Sequence, residues 1–210
     1  MTRSATTATT AAAQSLAAIV LAAGASTRMG RPKALLEWRG QTFVRRVVAL
    51  AEAAGCAPIV VVGGAVHLAS AELGGADLVV NRDWPKGQIS SLQRGLAALS
   101  LATSAGAPPR GVMVLTIDRP RVAAATCRAL AEAHDADPAA IWQPAVDGRR
   151  GHPIVYPRDL FAELAALPSD QGPRAWLRSP AIAARRRSLE VDDAAIFENF
   201  DRPGDLAGLT

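Results

Sequence analysis

The sequence predicts an α/β protein: a doubly wound, three-layer domain around a mostly parallel sheet. Three observations predict it. Short continuous apolar runs recur at Ala17–Leu21, Pro58–Val62 and Gly111–Thr116, as strands buried on both faces require. Segments with apolar residues at helical spacing alternate with these runs, and strand–helix alternation implies right-handed βαβ crossovers. Small-residue turns also follow the first two runs, at Ala22–Gly24 and Gly63–Gly64. In sheets of this kind, ligands bind at the carboxyl ends of strands where the strand order reverses.

The elements are read in order as follows. Residues 1–15 are rich in Thr and Ala without periodicity, and are expected to form a disordered leader; residues 16–210 form one domain. The apolar stretch Leu16–Ala23 has some likeness to a signal peptide. It is short, however, and a glycine loop follows it where a mature N-terminus would stand. Thr42–Ala54 is helical and stops at Gly55. Val66–Leu73 is expected as a short helix and Ala76–Val80 as a strand. Ser90–Leu101 and Val122–His134 are helices flanking the strand Gly111–Thr116. Ala140–Pro144 and Pro153–Tyr156 read as strands, Pro157–Leu167 as a helix, and Arg187–Val191 as a last strand.

Composition narrows the function. Half of the 210 residues are hydrophobic and a fifth charged, a globular balance. With only Cys56 and Cys127 and three histidines, neither a disulfide scaffold nor a Cys-rich zinc module is expected. No apolar run reaches the roughly 18–20 residues of a membrane helix, so a cytoplasmic protein with no membrane partner is expected. The net charge is +4, from 21 arginines against 2 lysines on the basic side. That balance suits phosphate-bearing partners. Nucleic acid is not expected, because aromatics are only 4% and do not interleave with basic residues. The Arg185–Arg187 tract reads as a solvated face.

The first strand runs into Leu21-Ala22-Ala23-Gly24-Ala25-Ser26-Thr27-Arg28-Met29-Gly30-Arg31-Pro32-Lys33. This matches neither a Walker A loop nor a G-x-G-x-x-G turn. It does offer backbone N–H groups that can approach a triphosphate, followed by two cations, Arg28 and Lys33. Lys33 stands out in a chain that uses Arg almost everywhere, since a compact ammonium fits between phosphate oxygens. The bland alternative is a basic strand-to-helix turn. Asp118 follows the strand Gly111–Thr116, at the carboxyl edge. It can hold Mg²⁺ together with substrate phosphates, or cap the helix from Val122. Gly63 and Gly64 let a base or ribose approach the backbone, or simply make a tight turn. Gly87, Ser90 and Ser91 open a helix whose N-terminus can help bind an anion.

The motif Leu-Ala-Ala-Gly-x-Ser-x-Arg-Met-Gly-x-x-Lys at Leu21–Lys33 resembles the signature of the MobA-like nucleotidyltransferases, with the molybdenum cofactor cytidylyltransferases as the closest subgroup. The likeness continues through Asn81–Leu92, Asp118-Arg119-Pro120, Gly151-His152-Pro153, Asp170–Arg174 and Asn199–Leu206, covering nearly everything from Leu16 to Leu209. It implies a nucleotidyltransferase domain of doubly wound fold. It further implies Asp118 as the Mg²⁺ ligand and Asp201 as a second carboxylate near the metal; Asp201 alternatively caps the last helix. Leu21, Ala22, Ala23, Gly24, Arg28, Lys33, Gly63, Gly64, Gly87, Ser90 and Ser91 fall where the family binds its nucleotide. His152 and Arg174 fall where it binds its acceptor; a hydrogen-bonded loop histidine is the alternative for His152.

The expected reaction is Mg²⁺-dependent transfer of CMP from CTP to the terminal phosphate of a molybdopterin-type acceptor. A molybdoenzyme of the xanthine dehydrogenase type would be the partner. The Ala-Ala-Gly spelling at Ala22–Gly24 resembles the cytidylyl subgroup rather than the guanylyl one. Two alternatives stay open: a sugar- or polyol-phosphate acceptor, and a non-catalytic cofactor carrier. A pure carrier would not need the Gly24/Arg28/Lys33/Asp118 set. Ile117, Arg119, Arg202 and Gly204 depart from the family pattern, which puts the acceptor's identity in doubt.

Overall fold

Alternate residues of the first strand enter two different apolar layers, which places that strand at the centre of the protein. The computed structural model describes residues 16–102, 108–168 and 172–209. The expected leader lies outside the described residues. In chain order the elements are β1 (Leu16–Leu21), β2 (Glu37–Trp38), β3 (Gln41–Thr42), α1 (Phe43–Ala53), β4 (Ile59–Gly63), β5 (Asp77–Val80), α2 (Gln88–Ala102) and β6 (Gly111–Thr116). They continue with α3 (Ala124–Ala136), β7 (Ile141–Val146), β8 (Arg149–Arg150), β9 (Ile154–Pro157), α4 (Phe161–Ala166), α5 (Pro173–Trp176), α6 (Pro180–Ala183) and β10 (Arg186–Glu190).

The main sheet has the order β10-β7-β9-β6-β1-β4-β5, with β8 attached to β7. β1 pairs in parallel with both β4 and β6, β4 with β5, and β7 with β10. β9 runs antiparallel to β6 and β7, so the sheet is mostly rather than wholly parallel. Period-2 alternation explains the three layers. Ala18 and Val20 of β1, Val61 of β4 and Met113 and Leu115 of β6 pack on one side with Val44, Val47 and Val48 of α1 and Leu130 of α3. Ala17, Ile19, Val60, Val62, Val112 and Val114 pack on the other with Ile89, Leu92, Leu96 and Leu99 of α2 and Leu164 of α4. Since β4 and β6 flank β1 on opposite sides, the strand order reverses beside β1, and the crevice expected there opens at the carboxyl ends of β1 and β6.

Several expectations change in detail. Val66–Leu73 holds no α-helix; only a 3₁₀ turn, Ser70–Glu72, forms between the Gly63-Gly64 and Gly74-Gly75 pairs. Its two buried anchors, Leu68 and Leu73, do not stand at the i, i+3 or i, i+4 spacing that would put them on one helical face. The helix expected at Pro157–Leu167 is a 3₁₀ turn, Arg158–Leu160, running into α4. Two hairpins were not anticipated. In β2–β3 the turn is Arg39-Gly40, and in β7–β8 it is Asp147-Gly148, with all four residues at positive φ. That is the conformation two-residue hairpin loops favour.

Candidate functional site

The loop after β1 folds on itself to aim its end at the sheet edge. Ser26 adopts a left-handed conformation (φ 56°), and its Oγ accepts from the Lys33 amide at 3.0 Å. That bond closes the turn and fixes where the Lys33 side chain begins. The loop is also pressed from below. Ala65 N donates to Ala23 O at 2.9 Å, and a Cβ on Gly64 would lie 2.7 Å from Ala23 O. Gly64 therefore permits close backbone approach, the tight-turn side of its two readings. Gly63 is buried as the last residue of β4.

Leu21, Ala23, Gly24, Ser26, Lys33, Gly87, Gln88, Ser91, Thr116 and Asp118 line one open cleft with Trp84 and Ile117, about 780 Å³ counted to its mouth. The structure thus brings together residues of the loop after β1, Lys33 and Asp118, at the switch point. Ala22 is buried beside them, but Arg28 is exposed in the turn Thr27–Met29 and does not line the cleft.

The opposite wall is set by Asn81, a buried residue that the sequence reading did not single out. Its Nδ2 donates to Ser90 Oγ and Ser91 Oγ, both at 3.0 Å, while its Oδ1 accepts from Asp83 N. Ser90 also donates toward Gly87 O at 2.8 Å and Asp83 O at 3.1 Å. Ser90 is thus used up in holding the loop. Ser91 keeps its hydroxyl proton for the cleft it lines. The signal for Asn81 was present as a polar residue directly after an apolar strand.

Asp118 does not cap α3. The cap comes from Asp193, whose Oδ2 accepts from Ala123 N at 2.9 Å and Thr126 Oγ1 at 2.6 Å. Asp118 Oδ1 instead receives Arg119 Nη1 at 3.1 Å, and the same nitrogen donates to Thr116 Oγ1 at 3.0 Å. The Asp118 carbonyl accepts from Phe200 N at 3.1 Å, which brings Asp201 alongside as the next residue. Asp201 Oδ1 lies 2.5 Å from Lys33 Nζ, and Asn199 Nδ2 donates to Oδ2. Asp201 therefore faces the phosphate loop, and Asp205 Oδ2 holds the amides of Asp201 and Arg202.

Among the described residues no three His, Cys, Asp or Glu side chains gather as a metal cage. The donor set fits a hard cation of another kind. Mg²⁺ takes one or two carboxylates and completes its shell with waters and substrate phosphates. Asp118 and Asp201 are two such oxygen donors at the cleft edge.

His152 lines two smaller hollows that adjoin the cleft, one with Leu21, Gln88 and Tyr156, the other with Arg119 and Val122. Its Nδ1 is buried without a partner. Burial first, then Arg119 and Arg174, push its pKa down to about 4 against the opposing pull of Asp118. The ring is therefore neutral near pH 7. Arg174 is exposed in α5, and Asp170 and Gln171 of the same motif lie outside the described residues.

Comparison with known proteins matches this arrangement. The model of the MobA-like NTP transferase domain matches residues 18–188. A protein of Opitutus terrae named as a probable molybdenum cofactor guanylyltransferase is 33% identical over 198 residues, 92% of this chain and 94% of its own. A nicotine blue oxidoreductase of Paenarthrobacter nicotinovorans is 35% identical over 172 residues, 76% of this chain and 80% of its own. A crystal structure from Mycobacterium tuberculosis superposes with a TM-score of 0.76 at 29% identity, covering 95% of this chain and 98% of that one. The same protein has also been solved in complex with manganese. No helix among the described residues is long and apolar enough to cross a membrane. The chain belongs to the MobA-like NTP transferase family, and it is a nucleotidyltransferase.

Proposed function

We propose that this nucleotidyltransferase moves CMP from CTP onto the terminal phosphate of a molybdopterin-type acceptor, releasing pyrophosphate, in the cytoplasm and in service of a molybdoenzyme of the xanthine dehydrogenase type. The observation that carries the reading is the convergence of the Gly24 loop, Lys33, Asp118 and Asp201 at the β1/β6 crevice. An oxygen of the acceptor's phosphate attacks the α-phosphorus of the triphosphate. A new P–O bond forms as the bond to the bridging oxygen of the β-phosphate breaks, and pyrophosphate leaves with that electron pair. Such a transfer needs positioning and charge neutralisation rather than a protein nucleophile.

The Gly24 loop approaches the triphosphate with its backbone amides, and Lys33 draws charge from the leaving pyrophosphate. Arg28, exposed outside the cleft lining, joins Lys33 in drawing charge from the leaving pyrophosphate. Ser91 and the Gly87–Gln88 edge hold the nucleoside, and neutral His152 and Arg174 face the acceptor side. Asp118 and Asp201 would hold Mg²⁺, which when bound neutralises phosphate oxygens. The manganese complex of the M. tuberculosis relative supports a divalent cation in this role. Residues 16–210 act as one domain behind a dispensable leader.

The name of the Opitutus terrae relative favours a second reading, with GTP as donor. The test is pyrophosphate release from CTP, GTP and ATP, each with and without molybdenum cofactor and Mg²⁺. Acceptor-dependent release from CTP is expected. Release from GTP alone would select the guanylyl reading, and release from none would overturn both.

A further inference from the structure

The phosphate-binding cation of this cleft already has an anionic partner, and that partner is fixed in place. Lys33 Nζ meets Asp201 Oδ1 at 2.5 Å, with the two side chains 11% and 39% exposed. The segment carrying Asp201 is anchored on both sides. Before it, Phe200 is 4% exposed and packs edge-on against Phe43, with ring centroids 5.8 Å apart. After it, Asp205 Oδ2 accepts from the amides of Asp201 and Arg202 at 2.8 and 2.7 Å. Asn199 holds the remaining carboxylate oxygen. This is a built strap, unlike a surface ion pair between two free side chains.

A phosphate oxygen and a carboxylate oxygen offer Lys33 the same chemistry. A triphosphate entering the cleft must compete with Asp201 for the ammonium. If it wins, the freed carboxylate stands beside a polyanion, in a cleft that Asp118, paired with Arg119, also lines. Two unit charges about 4 Å apart repel by ~1 kcal/mol in water and ~4 kcal/mol near a protein surface. A free nucleotide meets that repulsion in full. A nucleotide bearing a divalent cation would instead bring a positive charge that both carboxylates could coordinate.

We propose that Asp201 is a specificity-determining residue: by competing for Lys33, it makes the cleft accept cation-complexed nucleoside triphosphate and reject the uncomplexed form. This rests on the reading of Lys33 as the phosphate-binding cation. The proposal goes beyond a ligand role, for which the defining expectation is that losing Asp201 weakens the complexed nucleotide.

The test is calorimetric titration of CTP and of GTP into the full chain without acceptor, once with Mn²⁺ and once with EDTA. The parent is expected to prefer the cation complex by about a hundredfold, within the range those repulsions allow. Asp201→Asn should bind the uncomplexed nucleotide at least ~10-fold tighter than the parent does, while losing affinity for the complex. Asp201→Glu, which keeps the charge, should retain most of the parental preference. Unchanged or weaker binding of uncomplexed nucleotide by Asp201→Asn overturns the proposal and leaves the reading of the cleft standing. Binding of neither nucleotide under either condition overturns that reading, and the proposal with it. Asp201→Glu should keep the parental melting temperature, whereas Asp201→Asn, which leaves Lys33 at 11% exposure without its anionic partner, should melt lower; binding is compared well below both midpoints.

Discussion

Gly64→Ala is the perturbation whose effect can be worked most directly from the structure. An added Cβ would meet Ala23 O at 2.7 Å, Ala23 Cβ at 2.9 Å and Ala23 Cα at 3.1 Å. Two of those atoms are backbone, and Ala23 is itself buried, so no flexible side-chain end can yield. Either the loop after β4 or the loop after β1 must move by several tenths of an ångström. Such overpacking costs about 1–3 kcal/mol, and 2 kcal/mol lowers the melting temperature of a domain this size by about 4–8 °C. The movement also strains the 2.9 Å bond from Ala65 N to Ala23 O and shifts Gly24, one residue on. Nucleotide affinity should therefore fall together with stability. The control is Gly24→Ala, whose Cβ meets nothing within 4 Å and whose backbone is not in the left-handed region. That variant should keep the parental melting temperature and lose nucleotide affinity alone, by obstructing the ligand. The assay is differential scanning fluorimetry beside calorimetric titration of CTP with Mg²⁺. A Gly64→Ala protein as stable as the parent would refute the close-packing account, and parental affinity in Gly24→Ala would refute the approach of phosphate to this loop.

Asp118→Asn should keep the melting temperature, because Asp118 caps no helix and Asn still accepts from Arg119; turnover should fall by ~10²–10³ and recover in part with excess Mn²⁺, and parental kcat would remove the metal role. Asp193→Ala should cost about 1–2 kcal/mol in urea unfolding by uncapping α3 while kcat/KM holds, and an unchanged urea midpoint would show that the cap contributes nothing. Stability should also fall as pH drops from about 6.5 toward about 4. His152 in the folded protein takes its proton only near pH 4, whereas the unfolded chain takes it near 6.5, so acid favours unfolding by up to about 3 kcal/mol. Buried His134 is shifted in the same direction, chiefly by burial. The check is the urea midpoint across that range: His152→Gln should flatten its slope, and an unaltered slope would refute the assignment.

The parts of the fold carried by local pattern were legible. Ala17–Leu21, Pro58–Val62 and Gly111–Thr116 gave their strands because a strand buried on both faces has nowhere to place a polar residue. The position of the candidate cleft followed from those strands and from the loop at Ala22–Lys33. What was not legible depends on distant chain. Asp193 and α3 meet across 70 positions, and no spacing rule links a carboxylate to a helix so far upstream. Arg119 looked only like a departure from pattern until its bonds to Thr116 and Asp118 were seen. The part Ser90 plays in holding the loop was not legible, because its hydroxyl meets Asn81 and Gly87 only once the loop is folded. Asp147-Gly148 was legible and missed: it is a two-residue hairpin signal, and the antiparallel course of β9 lies just beyond the hairpin it makes.

Lys33 and Asp201 stand 168 positions apart, and this separation has a consequence for the nascent chain. Every strand of the main sheet is synthesised by Glu190, ahead of Phe200 and Asp201. In that interval the protein holds its phosphate loop and Lys33 but lacks the strap's carboxylate. A chain interrupted after β10 would hold the residues of both apolar layers with Lys33 unbalanced, and would also lack the Asp193 cap of α3 and the buried Ile196 and Phe200. The charge balance at Lys33 is completed last, by a short segment that contributes little to the two main cores.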